Sequence, residues 1–140
     1  MPRINQLVKY PRKKKVYKNN TIFKGHPQKA MIVTKILVLS PKKPNSANRK
    51  AAKGKVRVKN KYGVIKTVEK TAYINGEGHS IKPNAKVLIK NGGPQDVPGV
   101  SGGQIIRGPR DALPPTVVRN QGRSHVGVKK PKGTKKQMSR

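Results

Sequence analysis

The chain has 140 residues, of which 34 are Lys or Arg and four are acidic (Glu69, Glu77, Asp96 and Asp111), a formal charge of +30. That excess calls for a polyanion partner, while 32% apolar and 4% aromatic residues are too few to bury the whole length in one core. The lack of Cys excludes a disulfide scaffold, a thiolate metal site and a thiol nucleophile, and no run approaches the roughly 20 apolar residues that span a bilayer, so no membrane partner is expected.

Residues 1–29 hold nine basic and no acidic residues and are predicted to form a basic N-terminal arm. Ile4 to Lys9 suits a short helix that ends before Pro11. The block Arg12-Lys13-Lys14-Lys15 repels itself too strongly to fold without counter-ions. The start lacks the apolar centre of a secretory signal.

Residues 30–107 contain the β-branched runs and are predicted to be the folded part. Five short strands are expected, at Ala30 to Leu39, Lys55 to Lys59, Val64 to Ile74, Lys86 to Lys90 and Gln104 to Arg107, with a hairpin turn at Asn60-Lys61-Tyr62-Gly63. Val56 and Val58 alternate with Lys55, Arg57 and Lys59, so one face packs inward while the other presents cations. Five short strands in about 80 residues predict an all-β fold, a small barrel of the OB type, with a sandwich fragment as the rival. Residues 108–140 carry nine basic and one acidic residue and read as a basic C-terminal extension, its last part without periodicity.

The inventory of reactive groups is poor. Glu77-Gly78-His79 is the one close pair of a carboxylate and an imidazole, and its spacing matches no metalloprotease pattern; a glycine-rich turn explains it as well. Gly99-Val-Ser-Gly-Gly103 lacks the Gly-Lys-Ser/Thr ending of a nucleotide loop. No cofactor, metal or catalytic residue is expected. One Phe and four Tyr give no aromatic platform for bases. Lys outnumbers Arg 25 to nine, so backbone neutralisation should outweigh base reading, and folded RNA fits better than a DNA site.

The segment Ser40 to Lys50 departs from this pattern. Pro41 and Pro44 fix the backbone around Lys42 and Lys43. Asn45 and Ser46 then offer an amide and a hydroxyl, and small Ala47 permits close approach, as a shallow RNA groove with 2′-hydroxyls would require. An ordinary Pro/Asn/Ser turn is the equally good plain alternative.

With this loop the chain resembles the bacterial-type protein-twelve family of the small ribosomal subunit. The resemblance rests on Asn5-Gln-Leu-Val8, Pro27-Gln-Lys29, Pro41-Lys-Lys-Pro-Asn-Ser-Ala47 with Arg49-Lys50, Tyr73-Ile74 with Gly76-Glu-Gly-His79, Asp96-Val-Pro-Gly-Val100 and Gly127-Val-Lys-Lys-Pro-Lys132. It implies an OB-type barrel with an N-terminal arm running through the subunit. It also implies that two loops, Lys42 to Lys50 and Gln95-Asp96-Val97-Pro98-Gly99, lie at the decoding centre beside the mRNA–tRNA codon–anticodon helix, where Asn45 and Ser46 help inspect its geometry. Lys43 matches a lysine near the streptomycin site. Asp96 matches an aspartate that carries a methylthio group in some bacteria. Ribosomal RNA and neighbouring ribosomal proteins are the other partners, with Arg3, Lys9, Arg12, Lys13, Lys14, Lys15, Lys129, Lys130 and Lys132 as arm contacts.

Three features depart from the family. Gln95 stands where a lysine is expected, after Asn91-Gly-Gly-Pro94 in place of a more basic approach. Ala51 to Thr71 is longer and richer in Lys, which predicts extended second and third strands. Pro109 to Arg123 matches poorly. The family-like start is expected to leave little room for a cleavable presequence. The Lys, Asn and Ile content suits an organelle-encoded protein of a mitochondrion, with a bacterial cytoplasm or plastid as alternatives. A nonspecific cationic nucleic-acid compactor is the rival reading from charge alone.

Overall fold

The computed structural model describes residues 1–15, 22–60, 62–117 and 119–131. Its elements are α1 (Ile4–Lys9), β1 (Gln28–Leu39), β2 (Arg49–Lys59), β3 (Ile65–Tyr73), β4 (Lys86–Lys90), β5 (Gln104–Ile106) and a 3-10 turn at Arg123–Val126. The strands close into a barrel in the order β1-β2-β3-β5-β4. All neighbours are antiparallel except β3 and β5, which meet in parallel at Tyr73 and Gln104. This is the small all-β barrel of OB type.

Alternation along the strands builds the interior. Met31, Val33, Val56, Val87, Ile89 and Ile105 are its largest fully buried side chains, each stabilising the fold by about 1.5–3 kcal/mol. On β1 the register slips between Val33 and Lys35, opposite Gly54 and Lys53. The extra residue, Thr34, changes the phase, so Ile36 rather than Lys35 packs against the core. Ile22 and Phe23 from before β1, and Ala112 from after β5, complete the same cluster.

β2 begins at Arg49, not at Lys55 as the sequence pattern suggested. Ala51, Ala52 and Gly54 have weak strand preference, but all are buried and their smallness is what the packing needs. A side chain at Gly54 would run into the Ile32 carbonyl oxygen and lie 2.8 Å from Met31 Cγ. β2 and β3 make the long hairpin expected of the Lys-rich stretch, pairing from Ala51 opposite Tyr73 to Lys59 opposite Ile65. Its turn is closed by Gly63 N–H donating to the Asn60 carbonyl at 3.0 Å; Lys61 lies outside the described residues.

Where β3 meets β5, Gly103 adopts φ +81° and its carbonyl accepts the Tyr73 N–H at 2.8 Å. Any side chain there would overlap the Lys90 carbonyl, so glycine alone permits this closure.

Candidate nucleic-acid interface

Two connections of the barrel converge on one carboxylate. The β1–β2 loop turns at residues 42–45, where Asn45 N–H donates to the Lys42 carbonyl at 3.0 Å and the Lys43–Pro44 bond is cis. The β4–β5 loop carries Asp96. Its carbonyl accepts the Lys42 N–H at 2.7 Å. Its Oδ2 accepts Asn45 Nδ2 at 3.1 Å and the Arg49 guanidinium at 3.3 Å. Asp96 and Arg49 are half-buried, so the ion pair is partly shielded from water.

Lys42, Lys43, Pro44, Asn45, Ser46 and Ala47 are exposed, and so are Lys50, Gln95, Pro98 and Gly99. They belong to the two loops that Asp96 joins, and they include cations on either side of an amide and a hydroxyl in the chain. The Asn45 amide nitrogen, read from the sequence as facing outward, is bound to Asp96, so Oδ1 is the atom left for an outside donor. Val97 was grouped with the contact residues; it is 5% exposed and anchors the loop instead.

Beside Arg49 and Lys50, across a shared cleft, lies the loop Asn75 to His79. The group that organises it was not among the expected site residues: Arg107, expected as the end of a strand, is only 3% exposed. Its Nε donates to the Leu113 carbonyl at 2.7 Å, and its NH1 to the carbonyls of Asn75 and Gly78 at 2.8 and 2.9 Å. Burial pushes this guanidinium below its ordinary value, with Glu77 acting in the opposite sense. The signal available was only an Arg in an apolar run.

The same loop is stapled twice more to the C-terminal segment. Glu77 pairs with Arg119 at 3.2 Å, and Asn75 Nδ2 donates to the His125 carbonyl at 2.8 Å. Val126 packs against Gly76, within 3.0 Å of where a Cβ would stand. His79 lines a small cleft of about 180 Å³ with Arg49, Lys50 and Tyr73. Burial first, then Lys50 and Arg107, lower its pKa. Among the described residues no group of three His, Cys, Asp or Glu could hold a metal ion, and no helix is long and apolar enough to cross a membrane.

The expected arm contacts are scattered. Arg3, Lys9, Arg12, Lys13, Lys14, Lys15, Lys129 and Lys130 are all exposed, and Lys132 lies outside the described residues. α1 buries no residue; its first turn is held by Arg3 N–H donating to Gln6 Oε1 at 3.0 Å.

A family model described as Ribosomal protein S12/S23 matches residues 16–136. The match takes in both loops that meet at Asp96, and it runs through Pro109 to Arg123, where the motifs alone were weak. With an OB-type barrel and a family match over most of its length, the chain belongs to the ribosomal protein S12/S23 family, whose members are structural constituents of the small ribosomal subunit.

Proposed function

We propose that this chain binds ribosomal RNA within the small subunit and helps monitor codon–anticodon pairing at the decoding centre. The observation that carries this reading is the Asp96 junction. It joins the Lys42–Lys50 loop to the Gln95–Gly99 loop and leaves Lys43 and Ser46 exposed at the tip. A surface held by two separate connections is pre-organised, as inspection of helix geometry by 2′-hydroxyl contacts requires. The exposed cations of the arms would supply phosphate neutralisation that fixes the register of the whole.

Two finer assignments go with this proposal. The Lys, Asn and Ile content supports a mitochondrial ribosome, which fractionation of intact organelles would test. Asp96 is the position for a family-type methylthio group, visible as a mass increment on its peptide.

The decisive experiment is a misreading reporter with Lys43 replaced by Arg, Thr and Asn in turn. Altered misreading or drug response in subunits that still assemble is the expected result. Unchanged fidelity in all three would remove the decoding role. A protein found only at the top of a gradient after a high-salt wash would instead indicate a general cationic binder.

A further inference from the structure

A second cationic surface lies away from the Asp96 junction, on the outer face of β2-β1-β4. In the strand register Ile32 stands opposite Lys55 on β2 and Lys86 on β4. Side chains that alternate along the strands put Arg57 and Ala30 on the same outer face, one step of two residues further on. The result is a cleft of about 560 Å³ with Ala30 and Ile32 on its floor and Lys55, Arg57, Lys86 and Arg110 among its lining. Ile32 is 41% exposed although it is apolar and central to the face.

Arg110 is placed there deliberately by the backbone. It has φ +56°, an uncommon conformation for a residue of this size. The next residue holds it: Asp111 Oδ2 accepts the Lys86 N–H at 2.7 Å, and Asp111 N–H donates to the Lys86 carbonyl at 3.2 Å. The carboxylates nearest in sequence and register are therefore already engaged, Asp111 by that backbone and Glu69, opposite Lys55, by Lys53 at 3.0 Å.

We propose that this cleft binds an unpaired strand of the ribosomal RNA, with successive phosphates on Lys55 and Arg57 along one wall, Lys86 and Arg110 opposite, and sugar or base surface against Ala30 and Ile32. Strand positions two apart are about 6.7 Å apart, a step comparable to that between phosphates of an extended strand. A positively charged groove tracks the backbone of single-stranded nucleic acid without reading its sequence, and here Ala30 and Ile32 offer apolar contact in place of an aromatic platform. The inference rests on the reading of the chain as an RNA-binding component of the subunit, but uses none of the residues assigned to the decoding surface or the arms.

The test is a hydroxyl-radical footprint of assembled small subunits carrying the full chain. The variant Lys55→Gln, Arg57→Gln, Lys86→Gln, Arg110→Gln should still sediment with the subunit and lose protection of one continuous run of nucleotides. The charge-conserving variant Lys55→Arg, Arg57→Lys, Lys86→Arg, Arg110→Lys should keep it, which separates charge from folding. An arm variant, Lys13→Gln with Lys14→Gln and Lys15→Gln, should leave that run protected. Because the chain has no Cys, Arg57→Cys gives a unique point for a photocrosslinker, and attachment should be to RNA. An unchanged footprint in the glutamine variant, or attachment to a neighbouring protein, overturns the cleft assignment while the subunit role stands. Failure of the unmodified chain to sediment with the subunit overturns both.

Discussion

Asn45 and Asp96 are 51 residues apart in the chain, and their side chains meet at 3.1 Å. Arg49 reaches the same carboxylate oxygen, so neither loop of the candidate site is independent of the other. The family motifs fall on both sides of this junction, yet the bond between them is a property of the closed barrel.

Asp96→Ala should release both donors. The loss is expected to be about 0.5–1.5 kcal/mol, since Asp96 and Arg49 are only half-buried and Asn45 is exposed, and urea unfolding of the free protein would measure it. In a double-mutant cycle with Asn45→Ala the two losses should not add. Strict additivity would mean that the hydrogen bond contributes nothing.

Arg107→Met should cost more, about 2–4 kcal/mol, because three part-buried backbone carbonyls lose the donor that a buried guanidinium supplies. Amide exchange should accelerate around Leu113, whose carbonyl this side chain holds, and in the Asn75–Gly78 loop that it joins to it. Wild-type exchange rates at both places would show that the latch is unnecessary.

His79 predicts a pH dependence. Its folded pKa lies below the ordinary value because of burial, then Lys50 and Arg107. In the window between the two values the unfolded chain therefore binds more protons, and stability falls as pH falls through it. Above the ordinary histidine value the contribution is constant. Thermal unfolding followed from neutral to mildly acidic pH should show this slope, and His79→Asn should flatten it; an equal slope in both proteins would assign the effect to another group.

Gly54→Val should separate β1 from β2 at the bulge, since the new side chain meets the Ile32 carbonyl and Met31. A cost of about 1–3 kcal/mol is expected for such overpacking. Denaturant midpoints compare the two proteins, and an unchanged midpoint would mean that the strands part without penalty.

Much of the barrel was readable from β-branched runs, because Val and Ile at period two fix both the strand and its inward face. The start of β2 was not. Ala51, Ala52 and Gly54 carry no strand signal of their own, and only the tight approach of β1 explains them. The turn at residues 42–45 was legible from its prolines. The engagement of Asn45, the burial of Val97 and the role of Arg107 depend on contacts distant in sequence, which composition and spacing do not encode.

The two loops that meet at Asp96 differ in their footing. The first springs from the long β1–β2 ladder, whereas the second leads into β5, which joins β3 at a single register pair beside Gly103. Local opening starts where the ladder is shortest. β5 is held to β4 by three further pairs, so the junction ties a loop at the end of a long ladder to one whose far strand has a single pair to β3. Loss of that one pair is expected to loosen Asp96 before the Lys43–Ser46 tip.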